Sequence, residues 1–155
     1  MLRRRRRILP CPQLIMARFV DGYLGYLLGQ ANHALYKEFD GHVRAAGLTS
    51  IEWRVLATLH DGQPLTISQL ADEVLAKQPT VTKLVQRMGD QGWVSLQGDP
   101  ADQRRTLVTA TPAGKRLVRP LVAQARQHEA RVLRSLGSTE KAALLQLLEK
   151  LRHHA

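Results

Sequence analysis

Two short apolar spacings of the same period, set close together, constrain this chain more than any other feature. Ile67, Leu70, Ala71 and Val74 fall at i, i+3, i+4 and i+7, and Val81, Leu84, Val85 and Met88 repeat the spacing after a break through Leu75–Gln78. Each spacing predicts an amphipathic helix too short to persist alone in water, so the two must pack on each other and on a shared core. Thr66 and Gln69 form the T-x-x-Q capping box that opens the first helix. Pro79 suits the first position of the second, where its missing N–H costs nothing. The chain then alternates through Gly92–Gln97, turns through Gly98–Gln103 and alternates again through Arg104–Ala110, which predicts a two-stranded hairpin. The segment from Leu65 to Gly114 thus reads as a helix-turn-helix followed by a basic wing.

With Val81, Leu84, Val85 and Met88 turned inward, Pro79, Thr82, Lys83, Gln86, Arg87 and Asp90 occupy the outer side of the second helix, with Thr80 at its margin. Most are donors and acceptors of the size that reaches base edges and phosphates in a major groove. The first turn of a recognition helix reads most, which favours Gln78, Thr80, Thr82 and Lys83. Ser68, on the helix before, is placed on the same surface. Arg104 and Arg105 would project from the wing to grip phosphate or enter a minor groove, and Asp102 is positioned to hold Arg104 by a charge-assisted bond. Taken alone, the outer side is equally compatible with an ordinary solvated helix face; the basic wing beside it argues for nucleic acid.

The runs Leu48–Leu56, Leu65–Ala71, Pro79–Val85, Gly92–Val94, Asp99–Arg105 and Leu107–Gly114, the last ending T-P-A-G, resemble the MarR family of bacterial transcription regulators over about Val20 to Leu151. The resemblance implies a mainly α fold with a small β wing: a winged helix-turn-helix domain plus N- and C-terminal dimerisation helices. It also implies a homodimer on double-stranded DNA, most often a repressor, with the first and last helices joined across the interface. An effector pocket for aromatic acids or phenols would lie between those helices and the winged part. The family's wing arginine is matched by Arg104 and its orienting aspartate by Asp102, with Arg105 a weaker match. Lys77, Gln78 and Pro79 depart from the serines or arginines usual at the start of the recognition helix, so no base preference carries over.

The chain of 155 residues suits one domain. Its formal charge of +10 is unevenly spread: residues 77–119 hold 8 bases against 3 acids, whereas residues 16–76 hold 4 against 7. Leaving the tail aside, positive charge is densest on the expected recognition helix and wing, as phosphate binding requires. Residues 1–15 carry five arginines and no acid. They read as a disordered basic tail, with three origins open: an arm reaching DNA, a start upstream of a true first residue at Met16, or a solvated segment without function. Cys11 lies in this tail, without the structured basic pocket that activates a thiol. One cysteine and no apolar run near the roughly 18 residues of a membrane span point to a cytoplasmic protein with no membrane contact.

Outside the winged part, residues 48–111, the chain reads as helical. Val20, Leu24, Leu27, Leu28, Ala31, Leu35 and Phe39 predict one long helix to about Ala46, ended by Gly47. Thr49 and Glu52 predict a capping box for a second helix through Leu59. Thr111 and Pro112 open a helix to about Leu136, and Ser138 caps a last one with a stripe of Leu144, Leu147, Leu148 and Leu151. This excess of apolar surface over residues 16–46 and 112–155 predicts a homodimer, a monomeric bundle being the alternative. On the first helix Arg18, Gly25, Gly29, Asn32 and Tyr36 share a flank, suited with Trp53 to a small aromatic carboxylate of benzoate, salicylate or nicotinate type. The competing account is close helix packing at the two glycines. His33, His42 and the terminal His153–His154 pair give no metal-ligand spacing, and no cofactor is expected. No nucleophile with a base, paired carboxylates or phosphate-binding glycine loop argues for an enzyme. A winged module for protein or RNA contact would want exposed aromatics, whereas Trp53 and Trp93 sit in motif positions. A DNA binder that is redox-responsive or constitutive remains the alternative to a ligand-responsive one.

Overall fold

The computed structural model describes residues 18–153. The arginine run, Cys11, Met16 and His154 lie outside them. Six α-helices and a three-stranded sheet follow in order: α1 Leu24–Ala45, α2 Ser50–His60, β1 Leu65–Thr66, α3 Ile67–Glu73, α4 Gln78–Asp90, β2 Val94–Asp99, β3 Asp102–Ala110, α5 Pro112–Val132 and α6 Ser138–Arg152.

The chain divides into a unit ending at Tyr36 and a second from Lys37 onward. In the first, Arg18 precedes a 3₁₀ turn at Phe19–Asp21 rather than standing on the long helix, which begins only at Leu24. Its guanidinium pairs with Asp21 at 2.7 Å. Leu24, Leu27, Leu28 and Leu35 are all exposed.

In the second unit α2, α3, α4, the sheet and α5 converge on one core, in which Val43, Val55, Leu56, Leu70, Val74, Val81, Val85, Met88, Val108 and Val118 are fully buried. Each such aliphatic side chain contributes about 1.5–3 kcal/mol by leaving water. The predicted inward face of α4 is entirely buried, and in α3 only Ile67 stays half-exposed. Both capping boxes form: Thr49 with Glu52 at the start of α2, and Thr66 with Gln69 at the start of α3. Gly47 closes α1 and Gly92 closes α4, each with the positive φ that only glycine adopts at no cost.

Several boundaries differ from the sequence reading. Pro79 is the second residue of α4, with Lys77 as the cap. The helix after the wing ends at Val132 and passes into a 3₁₀ turn, Leu133–Ser135, short of Leu136. Gly137, not Ser138, caps α6, its N–H donating to the Glu140 carboxylate at 2.7 Å. The wing is also longer: β2 runs to Asp99 and β3 begins at Asp102, so Gln103 lies in a strand and the tip is a tight turn closed by Ala101 N–H donating to Asp99 Oδ1. A strand that periodicity did not show, β1, pairs with β3 through Leu65 opposite Val108 and Thr66 opposite Leu107, giving the antiparallel order β1-β3-β2. It ties the start of α3 directly to the wing. On α6, Leu144, Leu147, Leu148 and Leu151 are exposed.

Candidate nucleic-acid interface

The start of α3, the first turns of α4 and the strand β3 enclose one open groove of about 530 Å³, lined by Thr66, Ile67, Ser68, Gln69, Gln78, Thr82, Arg104, Arg105 and Thr106. The register explains this meeting. Pairing of Thr66 with Leu107 sets Thr106 and the two wing arginines beside the capped end of α3. The core face of α4 then turns Gln78 and Thr82 outward. Ser68, Gln78, Thr82, Arg104 and Arg105 are thereby brought together. Pro79, Thr80, Lys83 and Gln86 are exposed on α4 outside that lining.

Local hydrogen bonds decide what each group can offer. Thr82 donates its hydroxyl to the Gln78 carbonyl at 2.9 Å, which leaves it acceptor lone pairs and a methyl group for an outside partner. Asp102 does not hold Arg104 by its side chain, as the spacing predicted. It accepts the Arg104 backbone N–H at 3.0 Å and pairs with the Arg105 guanidinium at 3.4 Å. Strict alternation would set Asp102 on the same face of β3 as Arg104, but the ladder shifts register between Gly98 and Asp99, at the wing tip where Asp102 stands, and that regular alternation does not hold there. The carboxylate fixes the backbone at Arg104 and leaves its guanidinium without an ion-pair partner among the described residues.

Arg87 is engaged elsewhere. Its guanidinium donates to the buried carboxylate of Glu52 on α2 at 2.9 Å. Glu52 also accepts the backbone N–H and hydroxyl of Thr49, at 2.8 and 2.7 Å. Sequence reasoning assigned Glu52 only to its capping box, because a pair separated by 35 positions leaves no local signal. Burial pushes the Glu52 carboxyl up, but the Thr49 N–H, the Thr49 hydroxyl and Arg87 outweigh burial and hold it below its ordinary 4.5. A carboxyl with a lowered folded-state value stabilises the fold above its unfolded value and loses that contribution as pH falls through the folded one. Glu52→Gln should therefore lower stability by about 1–2 kcal/mol at neutral pH. The gap to the unaltered chain should narrow as pH drops below 4.5, in paired thermal melts. A gap independent of pH would assign the loss to packing instead.

The residues expected to hold an effector are placed as follows. Gly25 and Gly29, with Tyr26, Gln30 and His33, line a shallow depression of about 550 Å³ on α1. Asn32 and Tyr36 are exposed on the same helix, outside that lining. Arg18 is held by Asp21 and is not on the helix at all, so the proposed flank lacks its cation. In the second unit, half-buried Trp53 packs its ring at 5.3 Å from Phe39 and lines a cleft of about 380 Å³ between α2 and α5. The cleft is completed by Ala57, His60, Asp61, Val122, Ala125, Arg126 and Glu129. His60 keeps a buried Nδ1 without a hydrogen-bond partner, and Arg126 stands 4.0 Å from Asp61. These cleft residues were not singled out from the sequence; only their common helical spacing, read against Trp53, carried a signal. Among the described residues no group of three or more His, Cys, Asp and Glu side chains could hold a metal ion, and no helix is long and apolar enough to cross a membrane.

Comparison with known proteins agrees with this architecture. A family model described as the MarR family matches residues 46–105, from the end of α1 through the wing arginines. The HTH-type transcriptional repressor NicR of Pseudomonas putida is 30% identical, the match covering 85% of this chain and 84% of NicR. A MarR family transcriptional regulator from Silicibacter pomeroyi superposes with a TM-score of 0.78 at 38% identity, covering 88% of this chain and 97% of that structure. BpsR of Bordetella bronchiseptica, solved in a study of how 6-hydroxynicotinic acid regulates its DNA binding, gives a TM-score of 0.74 at 28% identity and covers 87% and 96% of the two chains. With its winged module and its identity to these regulators, the chain belongs to the MarR family of DNA-binding transcription regulators.

Proposed function

We propose that this chain is a repressor that binds a pseudo-palindromic operator as a homodimer and leaves it when a small aromatic acid binds. The observation that carries the DNA-binding part is the groove uniting Ser68, Gln78, Thr82, Arg104 and Arg105. In this reading the first turn of α4 enters the major groove, Lys83 and Gln86 extend the contact along it, and Arg104 takes a phosphate or minor-groove edge. Two copies would place two such helices about 34 Å apart on successive turns of the duplex. The leucines left exposed on α1 and on α6 support self-association, with residues 48–111 as the DNA-reading part.

For the effector, the Trp53 cleft offers an aromatic wall and Arg126 for a carboxylate. Arg126 takes here the role that the sequence assigned to Arg18. The ligand class follows BpsR and its 6-hydroxynicotinic acid. Release requires the ligand to bind the DNA-incompetent state more tightly than the competent one. The test is a titration of a protein–DNA complex, formed on a duplex selected from a random pool, with nicotinic, 6-hydroxynicotinic, benzoic and salicylic acids under fluorescence anisotropy. At least one acid should release the duplex, and Arg126→Ala should raise the concentration needed about tenfold or more. Intact DNA binding that none of the acids disturbs would leave a regulator without such a ligand.

A further inference from the structure

Three helices of this chain end in the same way. In α1, α3 and α4 the closing backbone bond runs from Leu48 N–H to Val43 at 3.2 Å, from Ala76 to Ala71 at 3.0 Å and from Trp93 to Met88 at 2.9 Å. The residue before each of these donors turns left-handed, as a Schellman end requires. Its φ is +75° at Gly47, +73° at Gly92 and +53° at Leu75. Two of the three ends thus use glycine, and the third imposes the same conformation on a leucine, whose Cβ opposes it.

Leu75 is also 85% exposed, more than any other large apolar residue described. The others lie at positions 19–36 or 144–151, on or beside the stretches that carry the exposed leucines of α1 and α6. Leu75 belongs to no stripe. A strained backbone and a hydrated isobutyl group both work against this residue in the free protein. Its position is the third observation. Leu75 stands in the turn between α3 and α4, two residues before the α4 cap and three before Gln78, which lines the basic groove.

We propose that Leu75 is an apolar DNA contact: its side chain packs on the duplex beside the first turn of α4, against deoxyribose or a thymine methyl group. Such a contact adds affinity by desolvation and displaces no counterion. It rests on the reading that this turn of α4 faces DNA.

The experiment uses the intact protein and a duplex it selects from a random-sequence pool. Leu75→Gly and Leu75→Asn relieve the left-handed strain and remove the apolar group; Leu75→Met keeps the apolar group and the strain. The glycine and asparagine variants should melt about 3 °C higher yet bind about five- to tenfold more weakly, with an unchanged slope of affinity against salt. The methionine variant should bind within about twofold of the unaltered chain. Replacing thymine by uracil in the duplex distinguishes the two surfaces: a Leu75 effect that vanishes assigns the methyl group, and one that persists assigns the sugar. If the glycine and asparagine variants bind as tightly as the unaltered chain while Thr82→Ala and Arg104→Ala weaken it, the inference is overturned. If those two also bind unchanged, the reading of the α4 face fails and takes the inference with it.

Discussion

Gly114→Ala is expected to cost about 4 kcal/mol or more and to leave little folded protein at 37 °C. A Cβ built at Gly114 would stand 2.1 Å from the carbonyl oxygen of Trp93 and 3.3 Å from a methyl of Leu56. An ordinary carbon–oxygen approach is about 3.3 Å or longer. The colliding atom belongs to the backbone, so no rotamer change relieves it and the first turn of α5 must move away from the entry to β2. That movement breaks the junction that Thr111 makes. Its hydroxyl donates to the Gly92 carbonyl at 2.6 Å and accepts the Gly114 N–H at 3.1 Å, while its own N–H donates to Trp93 at 3.0 Å. Overpacking side chains costs about 1–3 kcal/mol, and a rigid backbone clash with lost hydrogen bonds exceeds that. Against a total stability of about 5–15 kcal/mol the fold becomes marginal. The control is Gly41→Ala on α1, where a Cβ meets nothing within 4 Å and should stabilise the helix by about 1 kcal/mol. Thermal and urea unfolding of both variants check the pair; a Gly114→Ala chain melting within about 3 °C of the unaltered one would mean that the start of α5 is not seated against Trp93 as described.

The largest effect on DNA binding is expected at Arg104. Arg104→Ala should weaken binding about 10- to 100-fold on every duplex tested and reduce the slope of log affinity against log salt by about one unit. Arg105→Ala should change that slope much less, because the Arg105 charge is already partnered by Asp102 at 3.4 Å. Thr82→Ala should act differently again, shifting which bases are preferred while leaving the slope alone, since Thr82 presents lone pairs and a methyl to a base edge. Filter binding or anisotropy at several salt concentrations separates the three. An Arg104→Ala protein with undiminished affinity at about 0.15 M salt would remove the wing from the interface.

Residues whose structure depends on near neighbours were legible in advance. The capping boxes at Thr49 and Thr66, the inward faces of α3 and α4 and the glycine end of α1 are all decided within about eight positions, where period and hydrogen-bonding chemistry act directly. What depended on distant partners was not. β1 is two residues long, too short for alternation to register, and exists because β3 offers it an edge. Glu52 and Arg87 meet only once α2 and α4 have packed, so an arginine assigned to DNA proved to be shared with the core. Pro120 would ordinarily end a helix, yet α5 continues through it, with Val118 and Leu121 buried on either side to hold the run together. Asp102 lay between these cases. Its partnership with the wing arginines followed from spacing, but which arginine received the side chain depended on the register shift at the wing tip.

Two ion pairs, one on α4 and one on the wing, bear on how the protein meets its surroundings. If α4 and the wing meet DNA as proposed, Arg87 and Arg105 arrive with a carboxylate already in place, and binding would release fewer counterions from the duplex than the basic residues between positions 77 and 119 suggest. Less of the grip is then ionic, and more comes from the fit of fixed surfaces. Occupancy of such a surface would then vary less with ionic strength than its basic residues alone imply.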